Sequence, residues 1–142
     1  MEQTDPHMEQ RVWQRVQGGT VPLQLPQLIG WLLGCSEGCA ALSRQFRGQE
    51  ARLSQMRSEL LRQAACLRGI HLLRTGEPIT TPSSSPGRET TDALLLRCIG
   101  QCLRLQQNLR SQTSDAEYGP VFEQMAMQTA GHIHLLLELA GK

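Results

Sequence analysis

The stretch GEPITTPSSSPGRE, residues 76–89, sets the first limit on how this chain can fold. Pro78, Pro82 and Pro86 remove backbone donors and clash with helical turns, and three consecutive serines offer no side chain to a core, so the stretch is a linker. Fully extended, its 14 residues reach about 45 Å, whereas a helix of about 23 residues is about 35 Å long. The linker can therefore run the length of a helical bundle and return the chain parallel to the preceding helix. A loose hairpin loop would have the same composition.

Both sides of the linker carry helical periodicity. The first pattern, about Leu25 to Arg47, places Leu28, Ile29, Leu32, Leu33, Cys35, Cys39, Leu42 and Phe46 at spacings of three and four, and Gly48 ends it. The second, about Gln49 to Arg74, repeats the spacing with Leu53, Met56, Leu60, Ala64, Leu67 and Ile70. With almost nothing between them, the two form an antiparallel hairpin. The third, about Thr91 to Gln112, carries Leu94, Leu95, Cys98, Ile99, Cys102, Leu105 and Leu109. The fourth presents Val121, Phe122, Met125, Thr129, His132, Ile133, Leu136 and Leu139. Ser114 and Glu117 make a capping-box pattern for it, but Pro120 follows closely, so the start is either kinked or delayed to Gly119.

Ahead of these, Asp5 and Pro6 open a short N-terminal helix with Met8, Val12, Trp13 and Val16 on one face, ending at Gly18-Gly19. It should lie across the main body, because Trp13 needs cover. The expected architecture is all-α: an N-terminal helical arm at 1–19 and a four-helix bundle at 20–142. The bundle consists of a hairpin at 25–74, the linker at 76–89 and a second hairpin at 91–140.

Composition narrows the function classes. A chain of 142 residues predicts one domain. Fourteen basic against 13 acidic residues, net +1, argue against a nucleic-acid or anionic-membrane partner. The polar, acidic N-terminus is not expected to act as a signal peptide. The most apolar run, Leu23 to Leu42, is interrupted by Gln24, Gln27 and Glu37, which argues against a membrane span. Five cysteines, four of them in two C-x3-C pairs, fit reduced thiols better than a disulfide framework, and the expected compartment is the cytoplasm.

The two hairpins are alike. Sliding the second back about 70 residues sets Cys102 on Leu32, Phe122 on Leu53 and Leu136 on Leu67, the pattern of a pseudo-symmetric bundle. With RVWQRV (11–16), CLRGIHLLRTGE (66–77), DAEYGPVFEQMA (115–126) and GHIHLLLELAG (131–141), the chain resembles the ferritin-like superfamily, particularly small rubrerythrin-like bacterial proteins. The resemblance implies a di-iron site built from one Glu on each of two helices and Glu-x-x-His on each of the other two. It also implies, where the site is intact, a rubrerythrin-like oxidoreductase.

The sequence has no Glu-x-x-His. By the resemblance the single-Glu positions fall near Leu32 and Cys102, the second-helix pair near Leu60 and Gln63, and the fourth-helix pair at Thr129 and His132. Only His132 keeps a ligand. Glu59, one residue from the expected register, should be turned about 100° from the core, and Glu37 and Glu123 sit beside the apolar stripes. Buried acids without metal would be costly, so the leucines and Thr129 read as a refilled core.

Other chemistry is limited. Cys35 with Cys39, and Cys98 with Cys102, share helical faces and could hold a soft metal, zinc or copper, as thiolates; as free cysteines they would pack as small hydrophobes. Their 63-residue separation, against a repeat of about 70, predicts different heights in the bundle. His132 and His134 point about 200° apart and cannot chelate together. His134 is expected to face solvent, His132 to be a hydrogen-bonded core residue, and His71 to favour a helix C-terminus. Haem held by His132 is a further, weaker option. Gly34 and Gly38 imply a tight helix contact, with the arm or another subunit. The expectation is a non-catalytic structural or interaction protein with a degenerate di-iron site and no required cofactor, with a homodimer or a protein partner as its expected assembly. Its alternative is metal binding, as residual iron at His132 or a soft metal at Cys35, Cys39, Cys98 and Cys102.

Overall fold

A helix whose apolar residues recur every three or four positions has one stripe to bury, and here four such stripes close on one another. The computed structural model describes residues 25–79 and 89–141. Within them α1 spans Leu25–Gln45, α2 Glu50–Thr75, α3 Thr91–Ser111 and α4 Gly119–Ala140. No strand occurs among the described residues. The N-terminal arm expected at 1–19, with Trp13, and most of the linker interior lie outside them.

Local chemistry sets the boundaries. Gly48, at φ 89°, turns the chain between α1 and α2, and its N–H donates to Glu50 Oε2 at 2.8 Å. α2 closes on Gly76 in the left-handed region, its N–H returning to the Leu72 carbonyl. Thr90 caps α3 by accepting the Ala93 N–H on its hydroxyl at 3.1 Å. At α4 the Ser114–Glu117 capping box does not form. Asp115 Oδ1 instead accepts the Glu117 and Tyr118 N–H groups at 2.9 and 2.8 Å. The helix is delayed to Gly119, with Pro120 in its first turn, where an imino nitrogen costs no hydrogen bond.

Side-chain contacts fix the directions. Gly34 lies beside Arg97 and Gln101, and Gly38 beside Leu94 and Cys98, so α3 runs antiparallel to α1. Arg52 meets Glu138, Glu59 meets His132, Gln63 meets Gln128 and Arg74 meets Asp115, so α4 runs antiparallel to α2. α1 packs on α2 and α3, and α4 packs closely on α3 and at a greater distance on α2, while the diagonal pairs make no close backbone approach. Because each helix is antiparallel to its neighbours, α2 and α3 are parallel and diagonal. The chain leaves α2 at one end of the bundle and enters α3 at the other.

The shared interior is almost entirely apolar. Leu28, Ile29, Leu42, Leu53, Leu60, Leu67, Leu105, Phe122 and Leu136 are fully enclosed, and each such side chain contributes about 1.5–3 kcal/mol of burial. Ser36, Gln63, Thr129 and His132 are the buried polar residues. The serine and threonine hydroxyls donate to carbonyls of their own helices, Leu33 and Met125. Gln63 and His132 reach across to another helix, which marks the α2–α4 seam as chemically different from the rest of the core.

Candidate functional site

Antiparallel packing of α1 on α3 puts the two C-x3-C pairs into one layer. Cys35 Sγ lies 3.9 Å from Cys102 Sγ and 3.2 Å from Gln101 Oε1, and its thiol also approaches the Cys98 carbonyl at 3.9 Å. The expectation of different heights is therefore corrected: it assumed that the offset relating the hairpins also sets which residues face each other. Across an antiparallel interface, low numbers on α1 face high numbers on α3, and a 63-residue separation brings the pairs together. All four thiols are buried.

The glycines of α1 make this layer tight. A Cβ on Gly38 would stand 2.6 Å from Cys98 Sγ, and one on Gly34 would touch Gln101 and Arg97. The close approach expected from Gly34 and Gly38 is made with α3, and the arm lies outside the described residues. Thiol contact and burial hold Cys35, Cys39 and Cys98 protonated. The neighbouring Cys102 thiol, then burial, push Cys35 well above the ordinary thiol range, and contact with Cys35 and burial do the same to Cys98. Burial, then the Cys98 thiol, push Cys39 up to about 12. Cys66, on α2, stands apart and is half-buried.

The second polar feature crosses the α2–α4 seam. His132 Nε2 and Glu59 Oε1 are 2.7 Å apart, with side chains 5% and 24% exposed. Gln63 Nε2 donates to Gln128 Oε1 at 2.7 Å. Glu59 is thus turned toward His132, contrary to its expected placement. Where α2 and α4 stand farther apart than the other neighbouring helices, its long side chain reaches inward from the edge of the stripe beside the fully buried Leu60. The signal lies in the internal repeat, read from the apolar positions and not carried to these polar ones. The 69-residue offset from α2 to α4 carries Glu59 onto Gln128 and Gln63 onto His132, so the two cross-pairs are one contact made twice. His132 Nδ1 and Gln63 Oε1 are buried without a protein partner. His134 faces outward beside Glu138, as its helical phase predicts.

A di-iron centre does not fit these residues. Leu32, Leu60, Cys102 and Thr129, at four of the implied carboxylate and ligand positions, are at most 1% exposed and fill the interior. Thr129 is committed to the Met125 carbonyl. Of the hard donors the centre would need, the seam offers one carboxylate and one imidazole already bonded to each other, and Glu37 and Glu123 are exposed. Among the described residues no three of His, Cys, Asp and Glu are grouped to hold a metal ion. No helix among them is long and apolar enough to cross a membrane. No protein-family model, curated protein or solved structure matches the chain.

Proposed function

We propose that this chain is a non-catalytic protein on a ferritin-like scaffold that has lost its di-iron site, acting as a structural or interaction module in the bacterial cytoplasm. The reading is supported above all by what occupies the implied ligand positions: leucine, cysteine and threonine side chains enclosed in the core. Such residues cannot bridge two irons, and enclosed carboxylates without metal would carry a heavy desolvation cost. Its partners would be proteins, including a second copy of the chain, and not nucleic acid or membrane. The test is elemental analysis of protein purified under reducing conditions. The expected iron content is far below stoichiometric; about two irons per chain with oxo-bridge absorption would overturn the reading in favour of a rubrerythrin-like oxidoreductase.

A second reading, thiolate binding of a soft metal, is supported by the single layer that contains Cys35, Cys39, Cys98 and Cys102. The same elemental analysis tests it through zinc and copper content after reconstitution.

A further inference from the structure

We propose that Cys35 and Cys102 bind one monovalent copper ion as a bis-thiolate between α1 and α3; this deepens the soft-metal reading and rests on it. The two sulfurs stand 3.9 Å apart on facing helices, a separation that one soft ion can bridge with small side-chain adjustments. A tetrahedral zinc site needs four donors at about 2.3 Å, and no three metal-binding groups converge here among the described residues. Cuprous copper is soft, prefers thiolate and is satisfied by two such ligands, so it matches a site that supplies two.

The surroundings suit a soft cation. Both ligands are fully buried, which excludes water and hard competing ligands. Loading converts two thiols and Cu⁺ into a copper bis-thiolate of net charge −1 and releases two protons, with no change of oxidation state. Arg97, on the α1–α3 seam beside Gly34, is ion-paired with Glu89 at 2.9 Å, so the nearest charges balance and the negative complex is held by copper–sulfur bonding. Gln101, half-buried, accepts a hydrogen bond from the Cys35 thiol and, with Arg97, covers Gly34 above the pair.

The experiment titrates the reduced full-length chain anaerobically with Cu(I) held by the chromophoric chelator bicinchoninate. The expected result is withdrawal of one equivalent per chain, with new thiolate-to-copper charge-transfer absorption. Cys35→Ala and Cys102→Ala should each weaken retention by more than the ~10–100-fold typical of losing an outer-shell partner, while Cys66→Ala leaves it unchanged. Because core variants can unfold, the unmutated chain is also mapped: loaded and apo protein are denatured in alkylating agent, and Cys35 and Cys102 should be selectively protected by copper. Failure to compete with the chelator, or protection of other cysteines instead, overturns the proposal. Stoichiometric zinc bound by four thiols overturns the copper assignment while leaving the soft-metal reading standing; binding of neither metal removes both.

Discussion

A methyl group on Gly38 would lie 2.6 Å from Cys98 Sγ, whereas one on Gly30 would meet nothing within 4 Å. The two residues share α1, so they separate helix propensity from packing. Gly30→Ala should stabilise the protein by up to about 1 kcal/mol through propensity alone. Gly38→Ala should destabilise it by about 1–3 kcal/mol, because the thiol layer must move to admit the methyl. Urea denaturation of both variants checks the contrast, and adding Cys98→Ala to Gly38→Ala should restore part of the loss. Thiol burial carries a second consequence, in pH. Cys39 ionises at 9.0 when unperturbed and is held up to about 12 in the fold. A raised folded value means the native state keeps a proton that the unfolded chain releases. Its contribution is therefore complete below pH 9 and drains away as the pH rises toward 12, at up to about 1.4 kcal/mol per pH unit. Cys35 and Cys98, raised in the same direction, add to the fall over that window, where the one lysine and one tyrosine also titrate. The urea midpoint should fall steeply between about pH 9 and 11, and less so in Cys39→Ala.

Helix ends show where sequence signals compete. Thr90→Ala removes the hydroxyl that accepts the Ala93 N–H and should cost about 1 kcal/mol, again read from the urea midpoint. Four helices and the apolar stripes were legible in the sequence because each helix must bury its own stripe regardless of its neighbours. The start of α4 was legible only as a choice, since Ser114 and Pro120 compete and Asp115 decides by binding two N–H groups that a capping box would leave elsewhere. What the periodicity could not convey was which helix faces which. Cys35 and Cys102 share a layer only because α1 and α3 are antiparallel, and that relation depends on the connection between hairpins, not on either helix. Glu59 was hidden for a related reason. Helical phase alone turns it off the stripe, and the wider gap between α2 and α4 leaves room for its long side chain to reach His132.

At the scale of the whole molecule, the antiparallel pairing of α1 with α3 and of α2 with α4 makes the connection from Thr75 to Thr91 a span of the full bundle. α2 has 26 residues and is therefore about 39 Å long. The 15 intervening residues reach about 50 Å when extended and cover the distance with little to spare. Deleting residues 80–88 leaves six residues, which reach about 20 Å. One chain then cannot place α3 against α1 in the native direction, but two chains can, each hairpin packing on the partner's. The deletion variant should therefore elute as a dimer with native helical content by size-exclusion chromatography and circular dichroism. Replacing the nine deleted residues with a Gly/Ser segment of equal length should restore the parent oligomeric state, since reach and not sequence is what the connection must supply. A deletion variant that keeps the parent mass and thermal midpoint would mean that α3 enters the bundle from the same end at which α2 leaves it, and the shared thiol layer of Cys35 and Cys102 would lose its basis along with the topology.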